Sequence, residues 1–319
     1  MKEQVTMTPA TKPTRQSFSE RMVEYGATDR EFVVFESDIG YSTFSYLFGE
    51  KFPGRYFNLG IAEIGTMSTA AGMASGGRTV IVSGYGVFLT MRAVEAVRSF
   101  ICYPGLNVKI LSSHGGLTAA IDGTTHQATE DIAYMTTLPN MKVLVPCDEV
   151  SAARLFDTSM QTPGPVFTRL MRDSLYNIYN SNDAFKIGGS HVIRTGNDIT
   201  IATYGDIVFQ ALKAAEILAT EGIEAEVIDF YSIKPFDHCK LEKSITKTGV
   251  LLVAENHQAR NGLGYEMAAW AIKNHPVIFN NIGLEDQFGE SGDYLQILDK
   301  YGISARCIAE RTRELVKKK

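Results

Sequence analysis

Short apolar segments alternate with helical patterns along most of this chain, and that alternation limits its possible folds more than any other feature. In the first half, apolar runs that are typical of buried strands occupy residues 31–36, 78–83, 106–112, 141–146 and 166–169. Helical patterns lie between them, at residues 15–25, 61–77, 89–102 and 149–161. Because parallel strands need crossover connections, this order predicts an α/β fold, a mainly parallel sheet with helices on both faces.

The same alternation resumes in the second half, after a polar stretch at residues 177–183 that is typical of a linker. Predicted strands lie at residues 199–204, 225–229 and 250–254, and predicted helices at residues 207–221, 240–247 and 262–274. We therefore predict two α/β domains, at residues 15–180 and 190–319, preceded by an extended tail that is rich in Thr and Pro at residues 1–14.

Composition excludes several classes of function. The 319 residues carry a net charge of −5 with both signs interspersed, so no nucleic-acid surface is predicted. No apolar run approaches the ~18 residues that a membrane helix needs, and the first residues lack the apolar core of a signal peptide. The four cysteines form no CxxC pair and the six histidines form no metal cluster. We therefore expect reduced thiols, no metal bound by this chain itself and a cytoplasmic location.

The helix predicted at residues 61–77 differs from the others in its side chains. It is built largely from Ala, Gly, Ser, Thr and Met, whose small size lets a flat ligand or another backbone come close. Glu63 stands in its first turn, where the helix dipole and the free N–H groups favour an anion. Taken alone, Glu63 is explained more simply as a carboxylate that stabilises its own helix.

A polar, glycine-containing loop at residues 112–131 follows the third predicted strand. A loop of this length in a compact α/β domain is usually functional. Its side chains His114, Asp122 and His126 could contact a hydroxylated or anionic substrate, since imidazole donates and shuttles protons and a carboxylate accepts from hydroxyls. Turn formation and capping are the alternative roles for the same residues.

Several separated motifs together resemble the second half of a transketolase, its pyrimidine-binding and C-terminal domains. They stand, in the family's order, at residues 56–77, 84–90, 114–127, 205–207, 227–235 and 255–264. The resemblance runs from about Arg15 to the end of the chain. It implies that fold, with thiamine diphosphate as a cofactor that supplies the carbanion chemistry while the protein orients it.

The resemblance implies a site for the pyrimidine end of the cofactor. Glu63 matches the glutamate that hydrogen-bonds N1′ of the aminopyrimidine, and Phe88 matches an aromatic residue that stacks on its ring. Asp38 matches an aspartate near the cofactor at the subunit interface. Further aromatic positions of the family fall near Met91 and Val94, so this wall of the pocket is more aliphatic. Tyr85 could compensate for the lost ring, or it could be an ordinary core tyrosine.

The same resemblance implies a sugar-phosphate site. Asp122 matches an aspartate that recognises a sugar hydroxyl, and His126 matches a histidine beside the cofactor and the substrate oxygen. Together with Glu63, these two are the predicted catalytic residues. The positions that match the family's phosphate contacts are His114, Arg15, Ser42 and Arg172. Arginines hold phosphate through charge-assisted hydrogen bonds, whereas a lone surface arginine more often forms a weak ion pair.

One motif of the family is missing. The family's first half carries Gly-Asp-Gly and a following Asn, which bind Mg²⁺ and the diphosphate, and this sequence contains no such arrangement. The resemblance therefore implies a partner chain that supplies the Mg²⁺ ligands and the diphosphate site. Arg92 and Arg169 match no family position and could contact that partner. We predict a subunit of a split transketolase in an α₂β₂ assembly, which transfers a two-carbon glycolaldehyde unit from a ketose phosphate to an aldose acceptor.

Other functions fit parts of the same pattern. A beta subunit of a 2-oxoacid dehydrogenase, or a chain like deoxyxylulose-phosphate synthase, would share the cofactor site. The dehydrogenase needs no distal phosphate contacts such as Arg15 and Arg172. A chain that has lost catalysis could serve as a scaffold or regulatory subunit, although the retained Glu63, Asp122 and His126 argue against that role.

Overall fold

The structure is a computed structural model that describes residues 6–319. The predicted tail at residues 1–14 therefore lies in part, at residues 1–5, outside the described residues. Its described part contains a short strand, β1 (Thr8–Pro9), which pairs antiparallel with β8 (Tyr176–Asn177). This pairing holds the start of the chain against the segment that leaves the first domain.

The first domain is built on a parallel sheet. Its strands are β2 (Phe32–Glu36), β3 (Tyr56–Asn58), β4 (Thr79–Tyr85), β5 (Val108–Ser113), β6 (Lys142–Leu144) and β7 (Val166–Arg169), in the order β6-β7-β5-β4-β2-β3. Its helices are α1 (Thr14–Thr28), α2 (Gly40–Thr43), α3 (Tyr46–Lys51), α4 (Glu63–Ser75), α5 (Val94–Ala96), α6 (Asp131–Thr137) and α7 (Glu149–Gln161). Short 3₁₀ segments occupy Pro53–Arg55, Leu117–Asp122 and Thr124–His126.

The second domain repeats this architecture. Its strands are β9 (His191–Arg194), β10 (Ile199–Thr203), β11 (Ala225–Asp229), β12 (Ser232–Lys234), β13 (Val250–Gln258) and β14 (Ile278–Leu284). Its helices are α8 (Ile207–Ala219), α9 (His238–Thr248), α10 (Leu263–Asn274), α11 (Tyr294–Lys300) and α12 (Ala305–Val316). The sheet order is β14-β13-β10-β11-β9, with β9 antiparallel, while β12 pairs antiparallel with β6 of the first domain. Two mainly parallel sheets flanked by helices confirm the predicted fold class.

The helix predicted at residues 89–102 is present in a modified form. It consists of a π-helical turn at Phe88–Arg92, then α5, then a second π-helical segment at Val97–Cys102. Such turns hold more residues than an α-helical turn and are frequent at functional sites. Here the first turn brings the Arg92 side chain over the ring of Phe88, four residues earlier.

One of the apolar clusters contains side chains of both domains. A single cluster of buried side chains contains Ile132 and Met135 of α6 together with Tyr204, Phe230 and Leu251 of the second domain. No helix within residues 6–319 has both the length and the apolarity that a bilayer crossing needs. The four cysteines are free.

A buried polar network lies at the same junction. Arg169, at the end of β7, is 2% exposed, and its Nε lies 3.1 Å from Asp131 Oδ2. Its Nη2 donates to the carbonyl oxygen of Asn256 at 2.6 Å, and Asn256 Nδ2 donates to Asp206 Oδ2 at 2.8 Å. Burial acts to lower the pKa of Arg169, but the anionic groups around it raise the pKa overall. A charged arginine therefore links the two domains.

Replacing Arg169 with Met should lower the free energy of unfolding by about 3–5 kcal/mol, because Asp131 and Asp206 then stay buried without their cation. Urea unfolding followed by circular dichroism measures the loss. The matched control is Arg30→Met, since Arg30 is exposed. A loss below about 1 kcal/mol for Arg169→Met, the size typical of a surface ion pair, would show that the junction does not need the cation.

Candidate active site

The central predicted site residues gather at the carboxyl end of the first domain's sheet. Tyr85 ends β4 and stands in register with Ser113, the last residue of β5, so that His114 follows directly beside it. The ring centroids of Tyr85 and His114 lie 4.1 Å apart. Ligands of α/β proteins bind at this edge of the sheet, where the carboxyl ends of the parallel strands lie side by side.

A cationic cluster lies next to Tyr85. Arg15 Nη1 lies 3.3 Å from Ser42 Oγ and 3.5 Å from His114 Nε2, and it also donates to the carbonyl oxygen of Ser42. Arg15 Nε donates to the carbonyl oxygen of Arg172 at 3.0 Å. Burial, with the neighbouring Arg172, lowers the pKa of Arg15. Two arginines held this close favour an anion between them.

His114 is neutral in this cluster. Its side chain is 1% exposed, and its Nδ1 lies 2.6 Å from Ser113 Oγ. Burial first, and then Arg15 and Arg172, lower the pKa of His114 to about 2. Because a guanidinium only donates hydrogen bonds, His114 Nε2 accepts from Arg15 and Nδ1 carries the proton.

Asp122 and His126 border the same cluster from the loop between β5 and α6. Asp122 Oδ2 lies 3.8 Å from Arg172 Nε and 3.9 Å from His114 Nε2. The His126 ring meets Phe88 edge-on, with the centroids 5.4 Å apart. The structure thus brings together the aromatic, acidic and basic residues that were predicted on separate segments.

Glu63, the first residue of α4, has a carboxylate that is 4% exposed and accepts a hydrogen bond from Arg92 Nη1 at 2.8 Å. The guanidinium carbon of Arg92 lies 4.8 Å from the ring centroid of Phe88. Phe88 in turn stacks on Tyr85 at 6.1 Å between centroids, which joins this group to the cationic cluster through Tyr85. A nearly buried carboxylate and an aromatic face therefore hold one planar cation between them.

Two predicted cofactor residues line separate cavities. Asp38, in the left-handed region with φ 62°, accepts from Asn58 Nδ2 at 2.9 Å and lines a cavity of about 400 Å³. Met91 lines a different cavity of about 290 Å³, together with Val87 and Phe288. The roles of Asp38 and Met91 toward the cofactor stay predictions.

Arg92 is the residue of this site that sequence reasoning did not place there, since it predicted only a possible contact with the partner chain. Its spacing of four from Phe88, which directly precedes the helix predicted at residues 89–102, was a usable signal, because side chains at i and i+4 of a helix meet. Its ion pair with Glu63, 29 positions earlier, requires α4 and the π-helical turn to lie side by side. No local pattern carries that information.

Two family profiles match the chain. The profile described as transketolase, pyrimidine binding domain covers residues 10–177, and the profile described as transketolase, C-terminal domain covers residues 188–308. The chain belongs to the transketolase family. Membership confirms the resemblance found in the sequence, and it implies the use of thiamine diphosphate.

Transketolase subunits of similar length are among its relatives. The 6-deoxy-6-sulfo-D-fructose transketolase subunit of Clostridium sp. (strain MSTE9) is 34% identical, over 96% of this chain and 95% of that protein. An apulose-4-phosphate transketolase subunit of Phocaeicola vulgatus is 32% identical, over 95% of this chain and 97% of that protein. A solved split gene transketolase, described as an inactive beta4 tetramer, is 36% identical, with a TM-score of 0.88 over 96% of this chain and 98% of that one.

Among the functions that the sequence left open, these relatives favour the transketolase subunit. Two 1-deoxy-D-xylulose-5-phosphate synthases match at 31% and 30% identity, but this chain covers only 44% and 48% of their length, so that alternative is not favoured. The predicted split transketolase subunit is confirmed. This transketolase chain is an enzyme subunit that works with a partner.

The neutral state of His114 predicts a pH dependence of stability. In the unfolded chain, His114 becomes protonated below its ordinary pKa of 6.5, whereas in the folded chain it stays neutral until about pH 2. The free energy of unfolding therefore decreases as the pH falls below 6.5. Between pH 7 and pH 5, the free energy of unfolding of the wild type should decrease by about 2 kcal/mol more than that of His114→Asn, as measured by urea unfolding. Equal losses in the two proteins would contradict a neutral, buried His114.

Proposed function

We propose that this chain provides the pyrimidine-binding half of a thiamine diphosphate site, and that a partner chain provides the half that holds Mg²⁺ and the diphosphate. The assembled enzyme transfers a two-carbon glycolaldehyde unit from a ketose phosphate to an aldose acceptor. The observation that carries this proposal is the nearly buried Glu63 carboxylate, which pairs with a planar cation over the Phe88 ring.

The residues present fit the pyrimidine end of the cofactor. The Arg92 guanidinium at this position is a planar group with hydrogen-bond donors at its edge. An aminopyrimidine is another such group. Glu63 would hold the proton at N1′, and Phe88, stacked on Tyr85, would support the ring. When bound, thiamine diphosphate supplies the carbanion chemistry that two-carbon transfer requires.

The cationic cluster is the proposed site for the terminal phosphate of the sugar. Arg15 and Arg172 supply charge-assisted donors, while neutral His114 accepts from Arg15 and so orients its guanidinium. Asp122, beside Arg172, accepts from a sugar hydroxyl. His126, at the edge of Phe88, exchanges a proton with the substrate oxygen nearest the cofactor.

Exposed apolar side chains stand in the segments on either side of Glu63 and are the proposed contact for the partner chain. They are Tyr41, Phe57, Leu59, Ile61 and Ile64. Exposed apolar surface of this kind marks protein interfaces. The sequence lacks the Gly-Asp-Gly motif and the following Asn that the family resemblance links to Mg²⁺, so we assign the Mg²⁺ ligands to the partner. The proposed assembly is an α₂β₂ heterotetramer, with Asp38 near the subunit junction.

In the complex with the partner chain, Arg172→Met should lower kcat/KM for a phosphorylated ketose about 10- to 100-fold, because a charge-assisted hydrogen bond to the phosphate is lost. The loss for the matching unphosphorylated ketose should stay below about threefold, the scale of a weak surface interaction. Steady-state kinetics with both substrates measure this difference. Arg30→Met, at an exposed position, is the control.

Two results would count against the proposal at different levels. Equal losses for the phosphorylated and unphosphorylated ketoses would remove Arg172 from the phosphate site. Absence of turnover with any ketose phosphate, by a wild-type complex that binds thiamine diphosphate, would contradict the proposed reaction itself.

A further inference from the structure

Arg92 occupies the position that the proposed function gives to the aminopyrimidine ring. The role inferred for Arg92 rests on that function. The guanidinium of Arg92 lies over the Phe88 ring, 4.8 Å from its centroid, and Nη1 donates to Glu63 Oε2 at 2.8 Å. One aromatic face and one carboxylate oxygen are also the partners expected for the aminopyrimidine ring.

The guanidinium and the aminopyrimidine are alike in the features that matter at this site. Both groups are planar and delocalised, and both stack on aromatic rings. Both present N–H donors in their own plane, the aminopyrimidine through its amino group and, when N1′ is protonated, through N1′. Two planar groups cannot share one ring face and one carboxylate oxygen. Binding of the aminopyrimidine therefore requires the Arg92 side chain to leave.

The surroundings of Arg92 allow that movement. Its side chain is 48% exposed, whereas the Glu63 side chain is 4% exposed. A half-exposed guanidinium that swings outward is rehydrated, which keeps the cost of its displacement small. Glu63 stays in place at the start of α4, ready for a second donor.

We propose that Arg92 is a further residue of the cofactor site. In the free chain, Arg92 pairs with Glu63 and covers the Phe88 ring, and it leaves both when the cofactor ring binds. Before assembly, this contact avoids a nearly buried carboxylate without a partner. It also makes the affinity for the pyrimidine end depend on the free energy that displaces Arg92. Arg92 therefore tunes cofactor affinity from within the site.

The test measures binding of 4-amino-5-hydroxymethyl-2-methylpyrimidine, the ring fragment of the cofactor, to the isolated full chain by NMR titration. Arg92→Ala should bind this probe about tenfold more tightly than the wild type, because a cation–π contact and a half-exposed ion pair no longer compete. The control is Arg98→Ala, in the next helical turns, where the exposed arginine contacts Ser99 Oγ at 3.4 Å. Arg98→Ala should bind like the wild type.

A second measurement separates occupancy of the site from any effect on folding. Methylguanidinium, added to Arg92→Ala, should refill the emptied position and weaken binding of the probe, while wild-type binding stays unchanged. Arg92→Lys keeps the charge but not the planar group, so its affinity should lie between those of the other two proteins. If Arg92→Ala does not fold, Arg92→Lys carries the comparison with the wild type.

An Arg92 variant that folds and binds the probe no more tightly than the wild type would overturn the inference. An equal effect of methylguanidinium on the wild type and on Arg92→Ala would also overturn it. Failure of the proposed function is a separate result, in which the wild-type complex with its partner chain and Mg²⁺ does not bind thiamine diphosphate in calorimetry.

Discussion

A buried arginine anchors the loop on which most of this site depends. Arg169 packs against Gly116, where an added Cβ would lie 2.2 Å from its Nη2, so a side chain cannot stand there. Arg169 also pairs with Asp131 at the far end of the loop, and it donates to the backbone of Asn256. The side chain of Asn256 in turn accepts from the Leu117 N–H at 2.8 Å. One cation and one strand of the second domain thus hold the loop between β5 and α6 in place.

Under the proposed function, this anchoring holds half of an active site in a defined form. The loop presents His114, Asp122 and His126, the end of β4 presents Tyr85, and α4 presents Glu63. On the open side, Arg92 pairs with Glu63, and exposed apolar residues follow β3. Arg92 compensates the charge of the nearly buried Glu63 carboxylate. In the proposed function, the site becomes reactive only with the partner chain.

Local patterns predicted the fold where local interactions decide it. α7 begins and ends at the predicted residues, since Asp148 caps the helix and exchanges hydrogen bonds with Ser151. β9 and β12 were not predicted, because both are short antiparallel strands that depend on partners outside their own sequence neighbourhood. For the site, family resemblance grouped Glu63 with Phe88. The position of Arg92 between them depends on a π-helical turn, which hydrophobic periodicity does not reveal.

Reconstitution tests the half-site most directly. The chain alone, the partner chain alone and their equimolar mixture are assayed for two-carbon transfer from a ketose phosphate, with thiamine diphosphate and Mg²⁺ present. We predict turnover only in the mixture. Glu63→Gln, which removes the carboxylate proposed to hold the proton at N1′, should lower this turnover at least about 100-fold with assembly unchanged. Turnover by the chain alone, or a Glu63→Gln mixture that keeps most of its activity, would contradict this explanation.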